Sequence, residues 1–167
     1  VFQAVVIDGE PYWDGGYTGN PALYPLIYQT SGLDILLVRL TPLQRTDNPT
    51  RSIDIIDRLS EITFNASLIS EMRAIAFVKR LIDEHKLDRG RYKPLHMHMV
   101  ADDAGMSAFN ASSKFNTDWA FLQELHRLGH QAADGWLKAH RDRVGHDSSF
   151  DIHDAFLQQL GPAPGHS

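Results

Sequence analysis

DILLVRLT, residues 34–41, is the run whose reading decides the fold. It is largely apolar and is followed by Pro42, which suits a strand covered on both faces in a parallel sheet. Such a sheet needs helices on either side, so the surrounding sequence should alternate between helix and strand. It does: Ile55, Leu59, Ile62, Ala66, Ile69, Met72 and Ala76 recur at steps of three and four, the mark of an amphipathic helix. The pattern runs to about Asp88 and Gly90 stops it; its length predicts a break around Thr63 to Asn65. Leu95 to Ala101 (LHMHMVA) predicts a second strand. From Thr117, a candidate N-cap, the positions Trp119, Leu122, Leu125, Gly129, Ala132 and Trp136 predict a helix to about His140 that closes the core. A weaker helical patch covers Asp151 to Leu160, and the Gly- and Pro-rich residues 161–167 are expected to form a flexible tail.

Upstream, Val1 to Ile7 is rich in β-branched residues and meets Asp8-Gly9, a dipeptide that favours a type I′ hairpin turn; the return strand runs through Tyr12 and Trp13. Asn20-Pro21 then predicts the start of a short helix that buries Ala22, Leu23, Leu26 and Ile27 and ends near Thr30 to Gly32.

Composition bounds the function. With 167 residues and 18.8 kDa the folded chain should expose roughly 8,300 Å². Sixteen Lys and Arg against twenty-one Asp and Glu leave no basic excess for a phosphate backbone, so nucleic acid is not an expected partner. The absence of Cys excludes disulfides, thiolate metal sites and cysteine nucleophiles, and leans toward a reducing compartment. The longest apolar run, Ala74 to Val78, falls far short of a membrane span. Val1 opens inside an apolar stretch with no Met or leader pattern, so the chain is expected to be a piece of a longer protein.

The segment richest in chemistry is DGEPYWDGGYTGNPALYPL, residues 8–26. Asp14 follows a strand and precedes Gly15 and Gly16, where the backbone can turn sharply and another segment can approach. Two readings stand: a positioned general base, or an Asp that caps its own turn. Asp14-Gly15-Gly16 after a hairpin and before Asn20-Pro21 resembles the second catalytic block of the patatin-like lipid acyl hydrolases. That resemblance implies an α/β chain that is part of a three-layer α/β/α fold, with a Ser-Asp dyad that cleaves acyl esters of phospholipids or related lipids. It assigns Asp14 as the dyad aspartate and implies no cofactor. A serine hydroxyl needs a base to take its proton, and a carboxylate shielded from water is a stronger base than usual. Gly15 and Gly16 would serve close approach rather than chemistry.

The same family carries a Gly-rich oxyanion loop and a G-x-S-x-G elbow before the Asp block. Neither occurs in this chain; the nearest approach, Gly105-Met106-Ser107-Ala108-Phe109, lacks the second Gly and follows Asp14. The resemblance therefore implies the C-terminal portion of a hydrolase, inactive alone, whose partners are its N-terminal part and a lipid or ester substrate. It implies a division into a catalytic piece at 1–44 and a mainly helical extension at 45–160. The extension resembles that of some bacterial patatin-like proteins, especially at Arg58 to Asn65 and Ser112-Ser113-Lys114. The alternative is a non-catalytic module that docks on another chain; without further strands, both Val1 to Trp13 and Asp34 to Thr41 would expose unpaired edges.

Other features have two readings each. Tyr12, Trp13 and Tyr17, with Tyr24 and Tyr28, suit either an acyl-chain pocket or hairpin packing. His96 with His98, and His126 with His130, share faces at metal-ligand spacing, but neither pair brings an acidic residue in a known motif, so no metal is expected. Lys79 to Lys93 holds six basic and three acidic residues, which suits either a solvated helix end or peripheral contact with anionic headgroups. The expected location is accordingly cytoplasmic or peripheral to a membrane.

Overall fold

A computed structural model describes residues 3–44, 48–109, 113 and 115–158. The chain is mixed α/β, built from two small sheets and two long helices. Strands β1 (Val5–Ile7) and β2 (Glu10–Tyr12) form an antiparallel hairpin, with Val5 opposite Tyr12. Asp8 and Gly9 both adopt positive φ, 51° and 85°, as a two-residue type I′ turn requires. Trp13 lies beyond the return strand, and every residue of the hairpin strands is exposed.

The short helix begins later than Asn20-Pro21 predicts. α1 covers Tyr24–Gln29, and Pro25 rather than Pro21 occupies its first turn; the Asn20–Pro21 peptide is cis and belongs to the preceding loop. Leu23 is buried and Ile27 packs on the core, whereas Leu26 is exposed.

β3 (Asp34–Arg39) and β4 (His96–Ala101) pair in parallel, Asp34 beside His96 through Arg39 beside Ala101. The 32-residue helix α2 (Ser52–Asp83) connects them and covers one face. Here the expectation of a strand buried on both sides is corrected. Ile35, Leu37 and Arg39 point into the core, while Leu36, Val38 and Leu40 are more than half exposed. Among the described residues α2 covers the inner face of the sheet, while the outer face is covered at β4, where His98 meets Trp136, and lies bare along β3, which pairs with no second strand there.

α2 corrects two further expectations. It runs unbroken through Thr63 to Asn65, and it ends seven residues before Gly90. His85 supplies the stop at φ 57°, with the Lys86 N–H donating to the Leu81 carbonyl at 2.8 Å in the six-to-one pattern of a left-handed C-cap. The buried stripe is also rotated from the apolar one. Glu61, Asn65, Leu68, Met72, Ile75 and Ile82 face inward, while Ile55, Leu59 and Ile62 are exposed. The two buried polar residues are satisfied locally: Asn65 Nδ2 donates to the Pro42 carbonyl at 3.0 Å, and Glu61 accepts from Arg58 at 3.1 Å.

Leu68, Met72 and Ile75 meet Ile35, Leu37 and Met97 from the sheet, Leu95 just before β4, and Ile152 and Phe156 at the start and within a π-helical turn, His153–Leu157. Met72 and Met97 are fully buried. The short helix α3 (Asp103–Met106) leaves β4, and α4 (Trp119–His140) follows, capped by Asp118 rather than Thr117. α4 touches β4 but buries none of its own residues, so it lies against the core without closing it. The predicted tail at 161–167 and Ser112 and Lys114 of the Ser-Ser-Lys motif lie outside the described residues. No helix among the described residues is long and apolar enough to cross a membrane.

Candidate active site around Asp14

Asp14 leaves the hairpin and caps a 3-10 turn at Gly15–Tyr17. Its Oδ1 accepts from the Gly16 N–H at 2.8 Å, and Oδ2 has no partner among the described residues. The loop is closed by the N–H groups of Thr18 and Gly19 on the Gly15 carbonyl, at 3.0 and 3.1 Å. The two glycines differ. A Cβ on Gly16 would stand 3.3 Å from the Phe64 ring and 3.2 Å from Asp14 Oδ1, whereas one on Gly15 would meet nothing within 4 Å. Gly16 permits the loop to approach α2; Gly15 lies over open space.

The loop is held on the middle of α2. The Tyr17 and Phe64 rings lie 6.1 Å apart, and the Asn20 N–H donates to Ser67 Oγ at 3.1 Å. The same stretch of α2 carries Asn65, whose amide grips Pro42 just beyond the carboxyl end of β3. Two neighbouring turns of α2 thus tie the Asp14 loop to the carboxyl edge of the parallel strands, where ligand sites gather in α/β proteins. The carboxylate is exposed, not shielded. Tyr12, Trp13, Tyr17, Tyr24 and Tyr28 are exposed as well, Trp13 at 69% and Tyr28 at 81%. Ser107 Oγ, at the C-cap of α3, donates to the Ala104 carbonyl at 2.8 Å.

A second polar cluster was not foreseen. Asp34, at the start of β3, accepts two hydrogen bonds on one oxygen and has a third nitrogen close by. His98 Nε2 is 3.0 Å away, His96 Nδ1 3.4 Å, and the Gly145 N–H 2.8 Å. Partial burial pushes the Asp34 pKa up, but the Gly145 hydrogen bond, the His98 hydrogen bond and the His96 charge outweigh it, and the net shift is downward. An ionised carboxylate only accepts, so His98 Nε2 carries the proton and its buried Nδ1 faces the interior without a partner. The His98 ring meets Trp136 of α4 edge-on at 5.7 Å. The signal was present in the parallel register, which sets Asp34 beside His96 with His98 two residues on, the same face of the strand. It could not be used before β3 and β4 were known to be neighbours.

At the other end of β3, Arg39 is buried and forms a two-pronged ion pair with Asp103, at 2.7 and 2.9 Å, while donating to the Thr41 carbonyl. His126 and His130 stack along α4 with ring centres 6.2 Å apart, and His130 faces Asp134 at 3.7 Å. Among the described residues no group of three or more His, Asp or Glu side chains is arranged to hold a metal ion. No family model, curated protein or solved structure matches the chain.

Proposed function

We propose that this chain is the C-terminal portion of a patatin-like serine acyl hydrolase, part of a three-layer α/β/α fold, in which Asp14 is the general base and the serine belongs to an N-terminal part. The observation that carries the reading is the Asp14 loop itself. The carboxylate sits on a tight Asp-Gly-Gly turn, one oxygen is held by the Gly16 N–H, and the other is open to an incoming hydroxyl. Such a carboxylate takes the serine proton as the hydroxyl attacks an acyl carbonyl; the serine becomes acylated, the alcohol leaves with the proton, and water reverses the sequence.

The surroundings fit a catalytic half that awaits its complement. Leu36, Val38 and Leu40 present an apolar sheet face, and parallel sheets are otherwise covered on both faces. An N-terminal part laid on that face would add the second helical layer and shield Asp14 from water, which strengthens it as a base. Substrate would be a lipid or related ester, with Tyr12, Trp13 and Tyr17 beside its acyl chain. The helical region after Pro42 would then be the extension. The second reading, a non-catalytic module that docks on another chain, is favoured by one specific fact. Asp14 already has a role as the cap of its own turn.

Labelling the purified native protein with a fluorophosphonate, followed by denatured mass, tests the proposal. A labelled species heavier than 18.8 kDa, or a labelled chain that co-purifies, is the expected result. An unlabelled 18.8 kDa chain alone would overturn the hydrolase in favour of the docking module.

A further inference from the structure

A groove of about 960 Å³ separates the C-terminal half of α2 from the segment that leads into the π-helical turn. One wall is a single helical stripe: Arg73, Ala76, Phe77 and Arg80, spaced three and four apart. The small Ala76 leaves the hollow, and Phe77 lines it with half its surface exposed. The opposite wall brings Phe150, Ile152 and Leu157. The Arg80 guanidinium lies over the Phe77 ring at 5.4 Å, which keeps that ring fixed along the groove.

The charges around the rim are not equivalent. Asp83 is paired with Lys79 and Arg89, each at 3.5 Å, and Glu84 with Lys86 at 2.6 Å. Asp147 accepts from the Ser148 N–H at 2.8 Å and lies 4.0 Å from Arg143, while Asp151 accepts from the Asp154 N–H at 3.0 Å. Each acid already has a partner. Arg73 has neither an ion pair nor a hydrogen bond among the described residues, yet it stands at the mouth of an apolar trough.

We propose that this groove binds a single-chain amphiphile with one anionic head, the head on Arg73 and the chain along Ala76, Phe77 and Phe150. The volume is that of a small-ligand site, with an apolar trough of Ala76, Phe77, Phe150, Ile152 and Leu157 inside a charged rim on which Arg73 is the cation without an ion pair among the described residues. A guanidinium takes a carboxylate or a phosphate with two parallel hydrogen bonds. A bilayer surface or a polyanion fits poorly, because Arg73, Lys79, Arg80 and Arg143 are matched by Asp83, Glu84, Asp147 and Asp151 and leave no excess of positive charge for further anionic groups. The site is independent of Asp14 and of the hydrolase reading.

Calorimetric titration of the purified chain with decanoate and with decyl phosphate, both below their micelle concentrations, tests it; decanol is the neutral control. Saturable one-to-one binding of at least one anion is expected, and the tighter of the two identifies the head. Arg73→Ala should weaken it about tenfold or more, with Arg73→Lys recovering part of the loss. Octanoate should bind roughly tenfold more weakly than decanoate, since two buried methylenes are lost. Arg73 is exposed, so unchanged circular dichroism of the variant is the check on its fold. The proposal falls if neither anion saturates, if decanol binds as tightly as decanoate, or if Arg73→Ala leaves the affinity unchanged.

Discussion

Asp14 and Asp34 are the same residue put to opposite uses. Asp14 finds its hydrogen bond two residues away, at Gly16, and keeps an oxygen free on an exposed turn. Asp34 finds its partners 64 and 111 residues away, at His98 and Gly145, and ties the start of β3 to β4 and to the loop after α4. A carboxylate with a local partner holds its own backbone and leaves the rest of its chemistry available. One with distant partners is a structural tie, and its chemistry is spent on holding elements together.

The largest effect that could break this contrast is on turnover. In the proposed hydrolase, Asp14→Asn should lower ester hydrolysis by about a thousandfold or more, because an amide cannot accept the serine proton. Urea unfolding of the same variant should change by less than about 0.5 kcal/mol, since Asn caps a turn as well as Asp. Near-normal turnover would remove Asp14 from the mechanism.

Next in size is the tie itself. His98→Ala removes a ring that is 1% exposed and leaves Asp34 short of a donor, so urea unfolding should show a loss of about 2–4 kcal/mol. A loss below about 0.5 kcal/mol would mean that the Asp34 cluster holds nothing.

Asp34→Asn should cost less, about 1–2 kcal/mol near neutral pH, and it carries a signature in pH. The folded pKa of Asp34 lies below its unfolded value of 3.8, so its contribution is fully present above that value and is lost as pH falls through the lower folded one. The variant should therefore show a flatter loss of stability on acidification below about pH 4. Unfolding curves at several acid pH values that run parallel for both proteins would show that Asp34 is not the group responsible.

The smallest effect is expected on the bare sheet face. Val38 is 62% exposed, and Val38→Lys should change the stability of this chain in urea unfolding by no more than about 0.5 kcal/mol. In the proposed hydrolase the same change should destabilise by several times more, because the lysine would be buried under the proposed N-terminal part. Equal effects in both would leave the face uncovered in the complete protein.

How far the sequence could be read follows from the range of each interaction. The hairpin turn at Asp8-Gly9 and the presence of strands and long helices show in patterns within a few residues, whereas the pairing of β3 with β4 joins distant residues and the unbroken course of α2 departs from its pattern. So did the Asp14 turn, whose cap spans two residues. The face that α2 buries did not follow from hydrophobicity, because Asn65 turns inward to reach Pro42 and leaves Ile55, Leu59 and Ile62 in solvent. The single helical layer on β3 was equally hidden, since DILLVRLT records an apolar outer face but not whether anything in this chain covers it. By itself, then, the sequence determined the elements and the local geometry of Asp14, which rest on period and on turn chemistry. Tertiary structure decided the burial of α2, the meeting of Asp34 with His96, His98 and Gly145, and the lone position of Arg73 beside its groove, because each depends on partners that chain distance does not reveal.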